Sequence, residues 1–207
     1  MKYTTVIWDF DGTLADTLGG ALEIYNDLAA QYGFDPIDDP ETVRSMPLSD
    51  LASSHNIPLR KVPVLVRSFL KAQRLRMSDV RLCAGVYDVL LAFRELGCRQ
   101  GIVSSNAEDN IRTCLRANGA EDFFEFIIGY SRMTGKQRAL RRVIRQLELT
   151  PEAVLYIGDD VRDVRAAKTA GADIAAVSWG ISARQLLEEH QPDYLVDSPT
   201  ELLALQQ

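Results

Sequence analysis

The sequence predicts an α/β fold: a three-layer core on a parallel sheet, with a helical cap domain inserted into it. Three observations lead there. From about residue 83 onward, short apolar runs alternate with helical patterns of roughly ten residues, the grammar of a parallel sheet covered on both faces. An isolated apolar run near the N-terminus, Thr4 to Trp8, has strand composition, yet its companions come roughly 90 residues later. Everything between reads as helix. The expected division is therefore a core of residues 1–14 and 83–207, with 15–82 as the insertion.

The elements follow in order. Thr4 to Trp8 is rich in β-branched and aromatic residues and is stopped by Asp11-Gly12. From Thr17 to Tyr32, Leu18, Leu22, Tyr25, Leu28, Ala29 and Tyr32 recur at helical spacing, and Gly33 is a C-terminal stop. Pro36, Pro40, Pro47 and Pro58 break residues 34 to 60 into short helices and turns. Val62, Leu65, Val66 and Phe69 mark one face of a longer helix, with Pro63 in its first turn. Then come helix (Val86 to Leu96), strand (Gly101 to Val103), helix (108 to 117), strand (Phe126 to Ile128) and helix (136 to 147). The strand Val154 to Ile157, a helix (161 to 170), the strand Ile174 to Val177, a helix (182 to 189) and the strand Tyr194 to Val196 complete a Rossmann-like core.

Composition narrows the function classes. An apolar fraction of 46% and a charged fraction of 25% are those of a soluble globular protein with a real core. A net charge of −6 argues against nucleic acid as a partner, because phosphate backbones select basic surfaces. No apolar stretch is long enough to span a bilayer, and the start of the chain carries no leader pattern. Cys83, Cys98 and Cys114 have no metal-ligand spacing, read as buried small hydrophobes, and suit a reducing, cytoplasmic location. The expected oligomeric state is a monomer or homodimer.

Ligands of doubly wound sheets bind at the carboxyl ends of the strands, so the residues that follow each strand matter most. After the first come Asp9-Phe10-Asp11-Gly12-Thr13, and after the second Ser104-Ser105-Asn106. Thr134-Gly135-Lys136 opens the helix near 136; Gly158-Asp159-Asp160 follows the fourth strand, with Asp163 beyond it. Asp9 and Asp11, two apart on extended chain, leave on the same side while Phe10 points into the core. Like charges in one site raise a pKa unless a cation intervenes. Adding Asp159 gives a cluster of hard oxygen ligands of the kind Mg2+ takes. Lys136 and the Ser104 hydroxyl suit a phosphoryl group, and Gly12 lets the backbone turn sharply beside an anion.

Asp9-Phe10-Asp11-Gly12-Thr13-Leu14-Ala15-Asp16-Thr17 resembles the first motif of the haloacid dehalogenase superfamily. Ser104 matches its second motif, Lys136 its third, and Gly158-Asp159-Asp160-Val161-Arg162-Asp163 its fourth. Gln137 stands where the family pattern has proline. A cap directly after the first motif is similar to the C1-capped branch. The segments Val177-Ser178-Trp179-Gly180, Pro192-Asp193-Tyr194 and Pro199-Thr200-Glu201-Leu202 are similar to its phosphoglycolate phosphatase and pyrophosphatase relatives.

The resemblance implies a phosphatase for a small phosphorylated metabolite, with phosphoglycolate the first candidate. Asp9 would be the nucleophile and Asp11 the acid and base, with Ser104 and Lys136 on the phosphoryl oxygens. It also implies Mg2+ held by Asp9, the Asp11 carbonyl and Asp159, with Asp163 orienting the metal shell or Lys136. Gly12, Thr13, Ser105, Asn106 and, from the cap, Arg44 are candidate substrate contacts. A shift of one residue would hand the role of Ser104 to Ser105. A β-phosphoglucomutase-like phosphomutase, an inorganic pyrophosphatase and a silent phosphate-binding or regulatory module are the rivals.

Asp160 reads as a helix N-cap, and Trp8 and Trp179 as packing residues. His55 and His190 read as surface residues without partners. Arg67, Lys71 and Arg74 share one face of a cap helix in a stretch with seven Lys or Arg and one acid between Arg60 and Arg81. That face would attract an anionic substrate, and reads equally as a solvated charged surface.

Overall fold

Six parallel strands form one sheet in the order β3-β2-β1-β4-β5-β6 in the computed structural model, which describes residues 2–45, 54–130 and 135–206. They are β1 (Thr5–Trp8), β2 (Arg99–Ser104), β3 (Phe126–Gly129), β4 (Val154–Gly158), β5 (Asp173–Val177) and β6 (Tyr194–Val196). The helices are α1 (Leu18–Tyr32), α2 (Pro40–Ser45), α3 (Val62–Arg76), α4 (Val86–Glu95), α5 (Glu108–Ala117), α6 (Lys136–Gln146), α7 (Val161–Ala170) and α8 (Arg184–Glu189). Pro47 and Thr134, named above, lie outside the described residues.

β1 sits at the centre of the sheet, with Ile7 in register with Gly101 on one side and Tyr156 on the other. Its alternation divides the core. Val6 and Trp8 face α4 and α5, in a cluster with Leu90, Phe93, Ile111 and Leu115. Ile7 faces α6 and α7 with Leu140, Val143 and Val164. Both faces are covered, which is why the strands read as continuous apolar runs.

β2 begins two residues before the apolar run that announced it. Its extra polar member, Gln100, is buried because it donates to the Leu90 carbonyl (2.9 Å) and accepts from Trp8 Nε1 (3.3 Å). The chain leaves the core at residues 14–16 and returns at 81–83. The two passes are hydrogen-bonded, Asp16 N to Arg81 O at 2.9 Å and Cys83 N to Leu14 O at 2.8 Å. Between them α1 and α3 enclose a small core of their own, with Ile24, Leu28, Phe34 and Leu65 buried. Gly33 ends α1 in the left-handed region, φ 72°, its N–H closing onto the Ala29 carbonyl. No described helix is long and apolar enough to cross a membrane.

Candidate active site

The site is assembled at the carboxyl edge of β1, β2 and β4. The Asp9 N–H continues the sheet ladder to the Ile157 carbonyl (2.8 Å), and the chain then turns back at once. Leu14 and Ala15 both donate to the Phe10 carbonyl at 3.0 Å, and Gly12 supplies the left-handed residue, φ 78°. A side chain could not stand there: a Cβ on Gly12 would lie 2.3 Å from Asp159 Oδ2. Phe10 is buried in the core, while Asp9 and Asp11 both border a cavity of about 190 Å³.

Lys136, the first residue of α6, is buried and donates to Asp9 Oδ2 at 2.7 Å and to Asp163 Oδ1. Burial alone would lower its pKa, but the carboxylates of Asp163 and Asp9 outweigh that and raise it well above the usual lysine value. Asp163 is held in turn by the Tyr156 hydroxyl (3.1 Å) and the Asp160 N–H (3.0 Å). It therefore fixes the ammonium while closing a reciprocal capping box with Asp160 at the start of α7. Asp160 is the N-cap expected of it.

Asp159 is fully buried and accepts from Thr13 Oγ1 (2.7 Å) and the Ile181 N–H (2.7 Å). Burial, then the charges of Asp9 and Asp163, push its carboxyl well above the ordinary range. Asp11 accepts from Asn106 Nδ2 with both oxygens, each at 3.1 Å. Asn106 is locked because its own oxygen accepts from the Ala107 N–H (2.8 Å) and Asn110 Nδ2 (2.9 Å). Burial, then the neighbouring Asp9 charge, raise the Asp11 carboxyl to about 6 against the hydrogen bonds from Asn106 and Thr17.

One buried polar atom at this edge is unmatched among the described residues: Asp9 Oδ1 has no hydrogen-bond partner there. Asp9, Asp159 and Asp163 each offer an oxygen within 4.8 Å of the others, the group of potential metal ligands found among the described residues. Three carboxylates around one ammonium leave negative charge in excess in a buried place, and hard oxygen donors suit a divalent cation. The Asp11 side chain is outside that group.

The structure brings Asp9, Asp11, Gly12, Ser105, Lys136 and Asp159 to the same cavity. It does not bring Ser104 there. Ser104 is the buried last residue of β2, and its hydroxyl accepts from the Asn106 N–H (3.2 Å), while Ser105 faces the cavity. Thr13 is also turned away, its hydroxyl committed to Asp159. Asn106 reaches Asp11 and borders an adjoining cavity that also opens onto Asp11 and Ser105, and Asp163 lies behind Lys136. Arg44 does not border the cavity either: it donates to the Ser178 carbonyl (2.8 Å) and pins α2 to the loop after β5.

Tyr156 and Trp179 support the site without having been picked out for it. Tyr156 sits in an apolar run, and only its hydroxyl could have flagged it. Trp179 Nε1 donates to the Thr13 carbonyl (3.1 Å), bracing the turn after β1. His190 is half-buried and does have partners, the Leu186 carbonyl (2.9 Å) and Arg165 (3.1 Å). His55 also has one, Ser54 Oγ at 3.0 Å from its Nδ1.

A central parallel sheet presenting acids, a serine and a buried lysine at its carboxyl edge, beneath a helical roof, defines a three-layer α/β hydrolase. The chain matches the haloacid dehalogenase-like hydrolases over residues 6–177, and it belongs to that family. It is 33% identical over 202 residues to a phosphoglycolate phosphatase of Synechococcus elongatus, covering 96% of this chain and 94% of that one. It is 26% identical over 213 residues to the pyrophosphatase PpaX of Listeria monocytogenes, covering 99% and 96%. Its fold is also that of a haloacid dehalogenase-like hydrolase from Streptococcus pneumoniae, TM-score 0.88 over 100% of this chain and 99% of that one at 24% identity.

Proposed function

We propose that the chain is a phosphatase that hydrolyses a small phosphate monoester by way of a phosphorylated Asp9. The observation that carries this reading is the buried Asp9 Oδ1, a carboxylate oxygen with no hydrogen-bond partner among the described residues, on a side chain that borders the cavity. Asp9 attacks phosphorus in line, and the bond from phosphorus to the ester oxygen breaks. Asp11, with its carboxyl near pH 6, gives the leaving oxygen its proton and then takes one from the water that attacks the aspartyl-phosphate. Ser105 donates to a phosphoryl oxygen, and Lys136 holds Asp9 in place while offsetting the transferred charge. Asp9, Asp159 and Asp163 fit Mg2+, which when bound would neutralise charge on the phosphoryl oxygens.

Residues 15–82 serve as the cap: α1 and α3 roof the cavity with Leu18, Leu22, Tyr25 and Phe69, excluding water from the reaction. Phosphoglycolate is the first candidate substrate, on the strength of the 33% identical relative. Pyrophosphate is the second, on the strength of the PpaX relatives. The protein acts on a small metabolite, without nucleic acid or membrane, as a cytoplasmic monomer or homodimer. Phosphate release from a panel of esters, with and without Mg2+, tests the reading. It predicts Mg2+-dependent release with phosphoglycolate among the best substrates. A sugar phosphate isomer in place of inorganic phosphate would make the protein a mutase, and silence on every ester would make it a binding module.

A further inference from the structure

Two cavities open onto Asp11 and Ser105. The first is roofed by the apolar side chains of α1 and α3, and the cations that border it, Lys136 and Arg162, are paired with Asp9 and Asp160. The second, about 590 Å³, shares Asp11, Gln73 and Ser105 with it, and its α3 wall carries Lys71 and Arg74, one helical turn apart. A third, about 320 Å³, is lined by Lys136, Arg138, Arg162 and Arg165, but Asp11 does not border it.

Asp11 decides which way a substrate's tail runs. A proton donor acts only within hydrogen-bond reach of the oxygen it protonates. The leaving group therefore departs on the Asp11 side, into the first or second cavity; Arg138 and Arg165 are out of its path, and Arg162, which also borders the first cavity, is paired with Asp160. Lys71 and Arg74 are exposed and form no salt bridge among the described residues, whereas Arg76 of the same helix is paired with Glu23 and Asp27. The acids bordering the second cavity are Asp11, held by Asn106, and Asp109, which pairs with neither cation. Two uncommitted cations beside the leaving-group position attract negative charge at that place.

We infer that Lys71 and Arg74 form a subsite for a second anionic group, so that the preferred substrate is a short phosphate ester whose tail ends in a carboxylate or a second phosphate. This deepens the phosphatase reading and rests on Asp11 serving the leaving oxygen.

The test compares phosphoglycolate and pyrophosphate with hydroxyethyl phosphate, which matches phosphoglycolate in length but has a neutral tail. The enzymes are wild type, the Lys71→Ala/Arg74→Ala double variant and Arg67→Ala, which changes the same helix outside the cavity. In the double variant, kcat/KM for the anionic substrate relative to the neutral one falls about tenfold, mainly through KM. In Arg67→Ala that ratio stays at the wild-type value. A fall with phosphoglycolate assigns the subsite to a carboxylate, and a fall with pyrophosphate to a phosphate. Equal losses on charged and neutral esters, or the same fall in Arg67→Ala, overturn the assignment. Calorimetric binding of the same compounds to Asp9→Asn, with and without the two cap substitutions, repeats the comparison without turnover. A failed reaction mechanism is thereby distinguished from a failed subsite.

Discussion

Replacing Gly180 by alanine puts the packing around Asp159 to a direct test. A Cβ there would stand 2.2 Å from Asp159 Cβ and 2.3 Å from its Oδ2, where carbon atoms ordinarily approach to roughly 3.5–4.0 Å. Asp159 cannot step aside, because Thr13 Oγ1 and the Ile181 N–H grip its two oxygens and Gly12 closes the opposite side. The loop of residues 178–181 must move instead, and the hydrogen bond from Ile181 goes with it. Overpacking costs about 1–3 kcal/mol and a lost hydrogen bond to a charged group about 1.5–3 kcal/mol, so the sum is about 2.5–6 kcal/mol. In a chain of this size that is a fall of roughly 10 °C in Tm. Gly171→Ala is the comparison: its φ of 79° strains an alanine, but its Cβ would meet only Pro151 at an ordinary 3.6 Å. That variant should lose only about 1 kcal/mol. Urea unfolding of both measures the difference. Equal losses would refute the claim that Asp159 is wedged between glycines.

Other predictions follow from the same geometry. Ser105→Ala lowers kcat/KM by roughly 10²-fold, whereas Ser104→Ala, which removes only the acceptor for the Asn106 N–H, chiefly lowers stability by about 1 kcal/mol. Activity and urea unfolding on the two variants separate these outcomes. Thr13→Val keeps the shape but removes the donor to Asp159, and unfolding should register a loss of about 1–3 kcal/mol. Burial pushes the Cys83 thiol up to about 12 and the Cys114 thiol to about 11, and raises Cys98 as well. A raised thiol pKa lowers the thiolate fraction at pH 8, so alkylation of the native protein is negligible there and complete for all three in urea, as a mass measurement would record.

Periodicity carried most of the fold. The strands and helices after residue 83 lie close to their expected positions because the inner strands β2, β4 and β5 carry apolar runs and are almost wholly buried, and even the edge strands β3 and β6 keep short apolar runs. Apolar runs do not state strand order. Nothing in Thr4 to Trp8 says that β2 and β4 will flank it, and the register Thr5 to Arg99 and Val154 emerges only in three dimensions. The acids of the site were legible because Asp9, Asp11 and Asp159 follow strands directly. Ser104 and Ser105 were not separable, since one residue at a strand end decides whether a side chain points at the cavity or under the next turn. Thr13 and Asn106 have donor groups that suit a ligand as well as a neighbouring carboxylate, and the fold commits them to Asp159 and Asp11. Arg44 was drawn toward the substrate by its place in the insertion, yet the Ser178 carbonyl captures it.

The central claim is that Asp9 carries the phosphoryl group. Wild type and Asp9→Asn, mixed with substrate and Mg2+ and quenched in acid during turnover, can be analysed by mass spectrometry for an acyl phosphate and for phosphate released. The acyl phosphate is expected on Asp9 in the wild type, with neither label nor release in the variant. A label on another residue, or Asp9→Asn releasing phosphate at a rate near wild type, would contradict it.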